Sequence, residues 1–170
     1  MLSDMSVATM PMESLALEGL QIGSYGNCVV TIWSGEATRA TLDAIDRFSA
    51  KVYERWPAGT TLLVVLEPGC PMPNSEQRRD LDQYYLSVGN QVRGVAQVVE
   101  GGNLWAVMAR SVMTALRLVQ KSPYPMKVFA SAQEGADWIS EYVTTEASDD
   151  RAKIGTELLN YVGALRAGKA

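Results

Sequence analysis

Apolar and polar positions along this chain follow two periods, and the switches between them mark its elements. Thr60 to Glu67 and Val92 to Val99 are short runs of β-branched and apolar residues. The first is continuous enough to predict a central strand covered on both faces, and the second reads as another buried strand. Leu15 to Tyr25 and Asn27 to Trp33 also have strand character, and Gly26-Asn27 between them tolerates positive φ, so an antiparallel hairpin is expected. Elsewhere the period lengthens to that of a helix. Leu42, Ile45, Phe48, Val52 and Trp56 share one face of a helix that begins near Thr38 and is stopped by Pro57-Ala-Gly59. Leu81, Tyr84, Tyr85 and Val88 share a face of a second, which Asn74 and Gln77 open with the spacing of a capping box. Glu100-Gly-Gly-Asn103 turns into a third helix, whose core-facing stripe is expected to be Leu104, Met108, Val112, Leu116 and Val119; Ser122-Pro-Tyr-Pro125 breaks it.

From Pro125 to Tyr142 a short buried strand runs straight into a helix. Ser131 and Glu134 have capping-box spacing there, and Ala132, Ala136, Ile139 and Val143 fall on one face. After a polar linker, Thr144 to Ser148, a last amphipathic helix carries Ile154, Leu158, Tyr161, Val162 and Leu165. The order is β-β-α-β-α-β-α-β-α-α. Strands joined through helices must run parallel. The expectation is therefore an α/β domain with a single mixed five-stranded sheet, an N-terminal antiparallel hairpin, helices packed on the sheet, and a C-terminal amphipathic helix. Residues 1–12 read as a loose arm, 13–145 as the domain and 146–170 as a helical extension. The extension must bury its stripe on its own domain or against a second copy, which would make a homodimer.

Composition narrows the function. The 170 residues carry a net charge of −4, which argues against general nucleic-acid binding, because phosphate must be neutralised by Lys and Arg. No apolar run is long enough to span a bilayer, and no Lys or Arg precedes Arg39 to form the basic region of a signal peptide; the chain reads as cytoplasmic. Two cysteines, Cys28 in a strand and Cys70 in a loop, make no disulfide framework. The chain has no histidine, which removes Ser-His-Asp and Cys-His catalysis and most zinc and iron sites. A non-enzyme without cofactor, metal or catalytic residues is the expectation.

The element order, together with Val30-Thr-Ile-Trp-Ser-Gly35, the Thr60–Glu67 strand with its Pro-rich loop, Val99-Glu-Gly-Gly-Asn-Leu-Trp105 and Lys127-Val-Phe-Ala-Ser…Ala136-Asp-Trp138, resembles the STAS-like (SpoIIAA-like) family of bacterial regulatory domains over roughly residues 13–143. The resemblance implies an anti-sigma-factor antagonist-like role: binding of a regulatory protein partner, switched by phosphorylation of a serine at the start of the helix after the central strand. In this chain that serine is Ser75. The usual Asp-Ser pair at the strand end is replaced by Glu67-Pro-Gly-Cys-Pro-Met-Pro73. A phosphate on Ser75 would meet the positive end of a helix with Arg78 and Arg79 one turn on. The plainer reading of Ser75 is the first residue of a helix capped by Asn74.

Other groups carry weaker signals. Glu67, with Asp80 and Asp82, lies near a strand carboxyl edge, where open α/β sheets place ligands, and Cys70 sits beside it. Glu100-Gly-Gly-Asn103 could hold an anion, but a glycine turn into a helix accounts for it. Arg110, Arg117 and Lys121 could greet an acidic partner or simply face water. Tyr84, Tyr85, Trp105 and Met108 are plain core or the lining of an apolar cavity. The candidate contact residues are thus Glu67, Cys70, Ser75, Arg78 and Arg79. The alternative function is a module that binds a small apolar, lipid-like ligand between sheet and helices.

Overall fold

The computed structural model describes residues 14–119 and 122–170. The expected arm, 1–12, lies outside the described residues. The sheet has six strands in sequential order: β1 (Ser14–Leu17), β2 (Leu20–Tyr25), β3 (Cys28–Trp33), β4 (Thr60–Leu66), β5 (Val92–Val99) and β6 (Met126–Phe129). β1, β2 and β3 pair antiparallel, and β3 to β6 run parallel. The expected count of five is corrected here. Leu15 to Tyr25 is not one strand, because the chain reverses at Glu18-Gly19, where Gly19 takes φ +75. That turn presses so closely on Gly35 that a Cβ on Gly19 would stand 2.6 Å from the Gly35 Cα. At the second turn only Gly26 uses positive φ, +55, the first central position of a II′-type hairpin.

Five helices complete the chain: α1 (Arg39–Arg55), α2 (Ser75–Ser87), α3 (Leu104–Val119), α4 (Ala132–Ile139) and α5 (Arg151–Arg166). Local chemistry starts each of the first two. Thr38 and Thr41 form a reciprocal cap on α1, and Asn74 and Gln77 form one on α2. At α4, Ser131 Oγ accepts from the Glu134 N–H, while the Ala132 N–H donates to Glu100 of the β5–α3 loop rather than within a box.

Right-handed crossovers between strands laid down in sequential order put every crossover helix on the same face. One face of the sheet, Val29, Leu62 and Val95 with Leu20 and Ile22, accordingly meets Leu42, Ile45, Phe48 and Val52 of α1 and the half-buried Leu81 and Tyr85 of α2. The other face, Val30, Ile32, Leu63, Val65, Ala96 and Val98, meets Ala132, Ala136 and Ile139 of α4 and Ile154, Leu158, Tyr161, Val162 and Leu165 of α5. The apolar stripe of α5 is therefore covered by its own chain. Helix and sheet touch where Gly23 of β2 lies beneath Tyr161, with no room for a Cβ.

Asn27 ties the layers together. Its buried side chain donates to the Gly59 carbonyl (2.9 Å) and accepts from the Thr144 N–H (2.7 Å), joining the β2–β3 turn, the start of β4 and the α4–α5 linker. Loss of those partners would strand two backbone groups away from water.

One expectation about α3 is reversed. Leu104, Met108 and Val112, three of the residues expected to face the core, are exposed, while Ala106 and Ala109 are buried against Val99. α3 is apolar around most of its circumference, and periodicity alone does not say which stripe meets the sheet. The small residues do so because they let the helix approach closely. Side chains at 116 and 119 lie outside the description.

Candidate functional site

Two places merit comparison: the carboxyl edge of the parallel strands and the gap between α2 and α3. At the edge, Glu67 follows β4 and Glu100 follows β5. Arg166, from the end of α5, reaches across both, with Nε 2.6 Å from Glu67 Oε1 and an Nη 2.7 Å from Glu100 Oε2. Glu100 also accepts from the Ala132 N–H. Burial of the guanidinium favours its neutral form, but the hydrogen bonds to the two carboxylates outweigh this and hold Arg166 above its ordinary value. The crevice where an open α/β sheet usually binds ligands is thus filled by the chain's own cation. Glu67 is a structural partner here and no open carboxylate.

The remaining sequence candidates lie around the gap. Cys70 is buried, its S–H directed at the Gly35 carbonyl (3.4 Å). Burial, with the nearby Glu67 charge, pushes its thiol up to about 11, so it is protonated and a poor nucleophile at neutral pH. Arg78 Nε donates to the Pro73 carbonyl (3.1 Å), bracing the Pro-rich loop against the first turn of α2. Arg79 Nε reaches back to the Ser75 carbonyl (3.4 Å). Ser75 itself is exposed at the first position of α2. Cys70 and Arg78 thus border one cavity, while Ser75 and Arg79 stand on the outer surface beside it.

That cavity, about 120 Å³, opens between α2, α3 and the sheet. Its floor is Val64 and Leu66 of β4 with Gln97 of β5, and Val64 and Gln97 are paired neighbours in the ladder. Trp33 and the Cys70–Pro73 segment close one end, Leu81 and Tyr85 form the α2 wall, and Val112 and Met113 the α3 wall. Arg78, Asp82 and Arg117 supply the charged groups of the lining. Of the aromatic residues considered for such a cavity, Tyr85 lines it; Tyr84 borders a smaller one of about 20 Å³, Trp105 packs beside Val99, and Met108 faces solvent. Burial pushes the Tyr85 phenol up, and the Gln97 amide beside it opposes that shift.

Gln97 and the clamping Arg166 are not among the sequence candidates; Arg117 enters there only as a surface contact for an acidic partner, and Glu67 without its cation. Gln97 had a readable signal, a lone amide in Val95-Ala-Gln-Val-Val99 on the face where its neighbours are apolar. The clamp had none, since its members are 99 and 66 residues apart.

The other motifs settle into structural roles. Asn103 Oδ1 accepts from the Ala106 N–H (2.9 Å) and caps α3, and Arg110 donates to the carbonyls of Val99 (2.7 Å) and Gly101 (2.8 Å). The Glu100–Asn103 segment is therefore a capped glycine turn, with Gly101 at φ +104. Lys121 lies outside the described residues. Among the described residues no cluster of three or more His, Cys, Asp or Glu could hold a metal ion, and no helix is long and apolar enough to cross a membrane.

On the α3 side of the cavity an apolar stripe faces outward. Leu104 is 75% exposed, Met108 58% and Leu118 81%, with Val107 and Val112 between them. Leu86 of α2 and Met72 of the loop are also exposed, and Met72, Arg78 and Arg117 share the cavity lining with Val112. Comparison of the chain with protein-family models, with curated proteins and with solved structures gives no match.

Proposed function

We propose that this chain is a non-enzymatic, cytoplasmic regulatory domain of STAS-like type that works by binding a protein partner through the α2–α3 face. One observation carries the reading: α3 turns an apolar stripe, Leu104, Met108 and Leu118, into solvent beside a braced loop. Contiguous apolar surface of that kind on a soluble domain marks interaction sites. Arg78 and Arg117 on the adjoining cavity lining, with Arg79 next to Arg78 along α2, stand out on a chain of net charge −4 and complement a partner segment that is apolar on one side and acidic at its margins. On this reading Ser75, exposed at the start of α2, serves as a charge-based switch, because a phosphate there would add negative charge beside Arg78 and Arg79.

Photo-crosslinking in the source cell tests this. A photoreactive residue at Met108 is expected to capture one defined protein, and the same residue at Asn160, exposed on α5, is expected not to. No capture at Met108, or equal capture at both positions, would count against the reading. Ser75→Asp is expected to lower the Met108 yield while Ser75→Ala preserves it; identical yields would remove the switch.

A second reading, a carrier of a small apolar ligand, is favoured by the cavity between sheet and helices. Native mass spectrometry of freshly purified protein would show a retained ligand mass on that reading and a clean polypeptide mass otherwise.

A further inference from the structure

α2 packs on α1, and α3 packs on β5 and β6, so the strip of sheet between the two helices is left as a floor without a cover. The cavity above it, about 120 Å³, compares with the roughly 150 Å³ of an apolar protein cavity that takes up benzene. Its enclosed part therefore suits a single ring, with the remainder of the molecule leaving by the open side. Val64 and Leu66 below and Met113 and Trp33 at the sides supply dispersion contacts to such a ring.

Gln97 breaks the apolar floor. It is only 8% exposed, and a primary amide has four hydrogen-bonding positions. The Tyr85 phenol engages it, and an amide has capacity for further partners. Packing alone would have been served by Leu or Met without the desolvation cost of an amide. Arg117, across from α2, has no carboxylate partner among the described residues, and Arg78 holds the Pro73 carbonyl with Nε alone. Asp82, also on the lining, is already engaged. A carboxylate is expensive to bury and favourable beside guanidinium at the open side.

We propose that this cavity binds a compact hydroxyaryl carboxylic acid: the ring on Val64 and Leu66, the ring hydroxyl on Gln97, and the carboxylate on Arg117 at the rim. The inference rests on the ligand-carrier reading above and adds the chemical class.

Three probes of one skeleton separate the two claims: 4-hydroxyphenylacetate, phenylacetate, which lacks the hydroxyl, and 2-(4-hydroxyphenyl)ethanol, which lacks the carboxylate. Titration followed by amide chemical shifts is expected to map 4-hydroxyphenylacetate to β4, β5 and α3, with the other two binding at least tenfold more weakly. Gln97→Leu should reduce 4-hydroxyphenylacetate to the affinity of phenylacetate. Arg117→Gln, at an exposed position that does not threaten the fold, should reduce it to the affinity of the alcohol. Equal binding of all three in the cavity would overturn the acid class and leave the ligand-carrier reading standing. No binding of any probe, or shifts confined to other surfaces, would overturn the acid class, and a clean polypeptide mass by native mass spectrometry would overturn the ligand-carrier reading with it.

Discussion

Arg166 does at the residue scale what no local pattern announces: one guanidinium closes the ends of two strands and anchors the last helix. Its two contacts are short, and all three side chains are about one-third exposed, so solvent screens the pair in part. Arg166→Gln would leave Glu67 and Glu100 side by side without a cation. The expected loss is about 1–3 kcal/mol by urea unfolding, the scale of charged hydrogen bonds lost with repulsion added. Combined with Glu67→Gln, the loss should be less than additive by at least about 0.5 kcal/mol, the signature of a direct contact. Strict additivity would mean that the clamp does not form. Cys70 makes a second residue-scale case. A thiol raised to about 11 should alkylate slowly with iodoacetamide at pH 7.5, and its rate should climb steadily as pH rises toward 11, because thiolate is the reactive species. Fast labelling of the folded chain at neutral pH would contradict the buried placement.

At the scale of elements, α5 is an integral part of the core. Ile154, Leu158, Tyr161, Val162 and Leu165 are buried in the same cluster as α4 and the sheet. At about 1.5–3 kcal/mol for each large apolar side chain buried, they represent a sum comparable with the whole stability of an ordinary domain. Truncation after residue 146 is therefore expected to abolish cooperative thermal unfolding followed by circular dichroism. A truncated chain that melts sharply near the parent temperature would show that α5 is dispensable. What could be read in advance at this scale divides by range. The α2 start was readable because Asn74 and Gln77 satisfy each other within one turn. The strand β5 was readable because eight consecutive positions carry its character. The Glu18-Gly19 reversal was not: Leu15, Leu17, Leu20 and Ile22 surround it with strand-like residues, and its cause is the close approach of Gly35, sixteen residues on. The facing of α3 was not readable either, since Ala106 and Ala109 win the sheet by being small, a choice made by tertiary packing. The cavity follows from the same kind of choice. Gln97 could be placed on a buried face by parity, but the absence of a cover over it depends on how two helices seat.

For the molecule as a whole, the two buried thiols and several buried phenols give stability a common dependence on pH. Burial raises Cys28 from 9.0 to about 12 and Cys70 from 9.0 to about 11. The Tyr85 phenol is raised by burial, and that of Tyr25 by burial first and then by its hydrogen bond to Glu157. In each case the folded chain keeps a proton that the unfolded chain releases near its ordinary value. Above pH 9 the unfolded state binds fewer protons, so stability falls as pH rises. The contribution is complete below about pH 8.5, the ordinary thiol range, and is lost progressively toward pH 11–12. Urea midpoints measured from pH 8 to 11 should decline, and Cys28→Val should flatten the decline between pH 9 and 10. A midpoint constant to pH 11 would contradict the burial of these groups.

Under the proposed function, recognition falls to the α2–α3 face, while Arg166 closes the strand edge. A double variant, Leu104→Glu with Leu118→Glu, addresses that assignment most directly when its melting temperature and its Met108 crosslink yield are measured together. Both side chains project into solvent, so the predicted result is a melting temperature within about 2 °C of the parent, as for surface substitutions, with the crosslinked partner lost. A fall of more than about 6 °C, or a crosslink that persists undiminished, would contradict it.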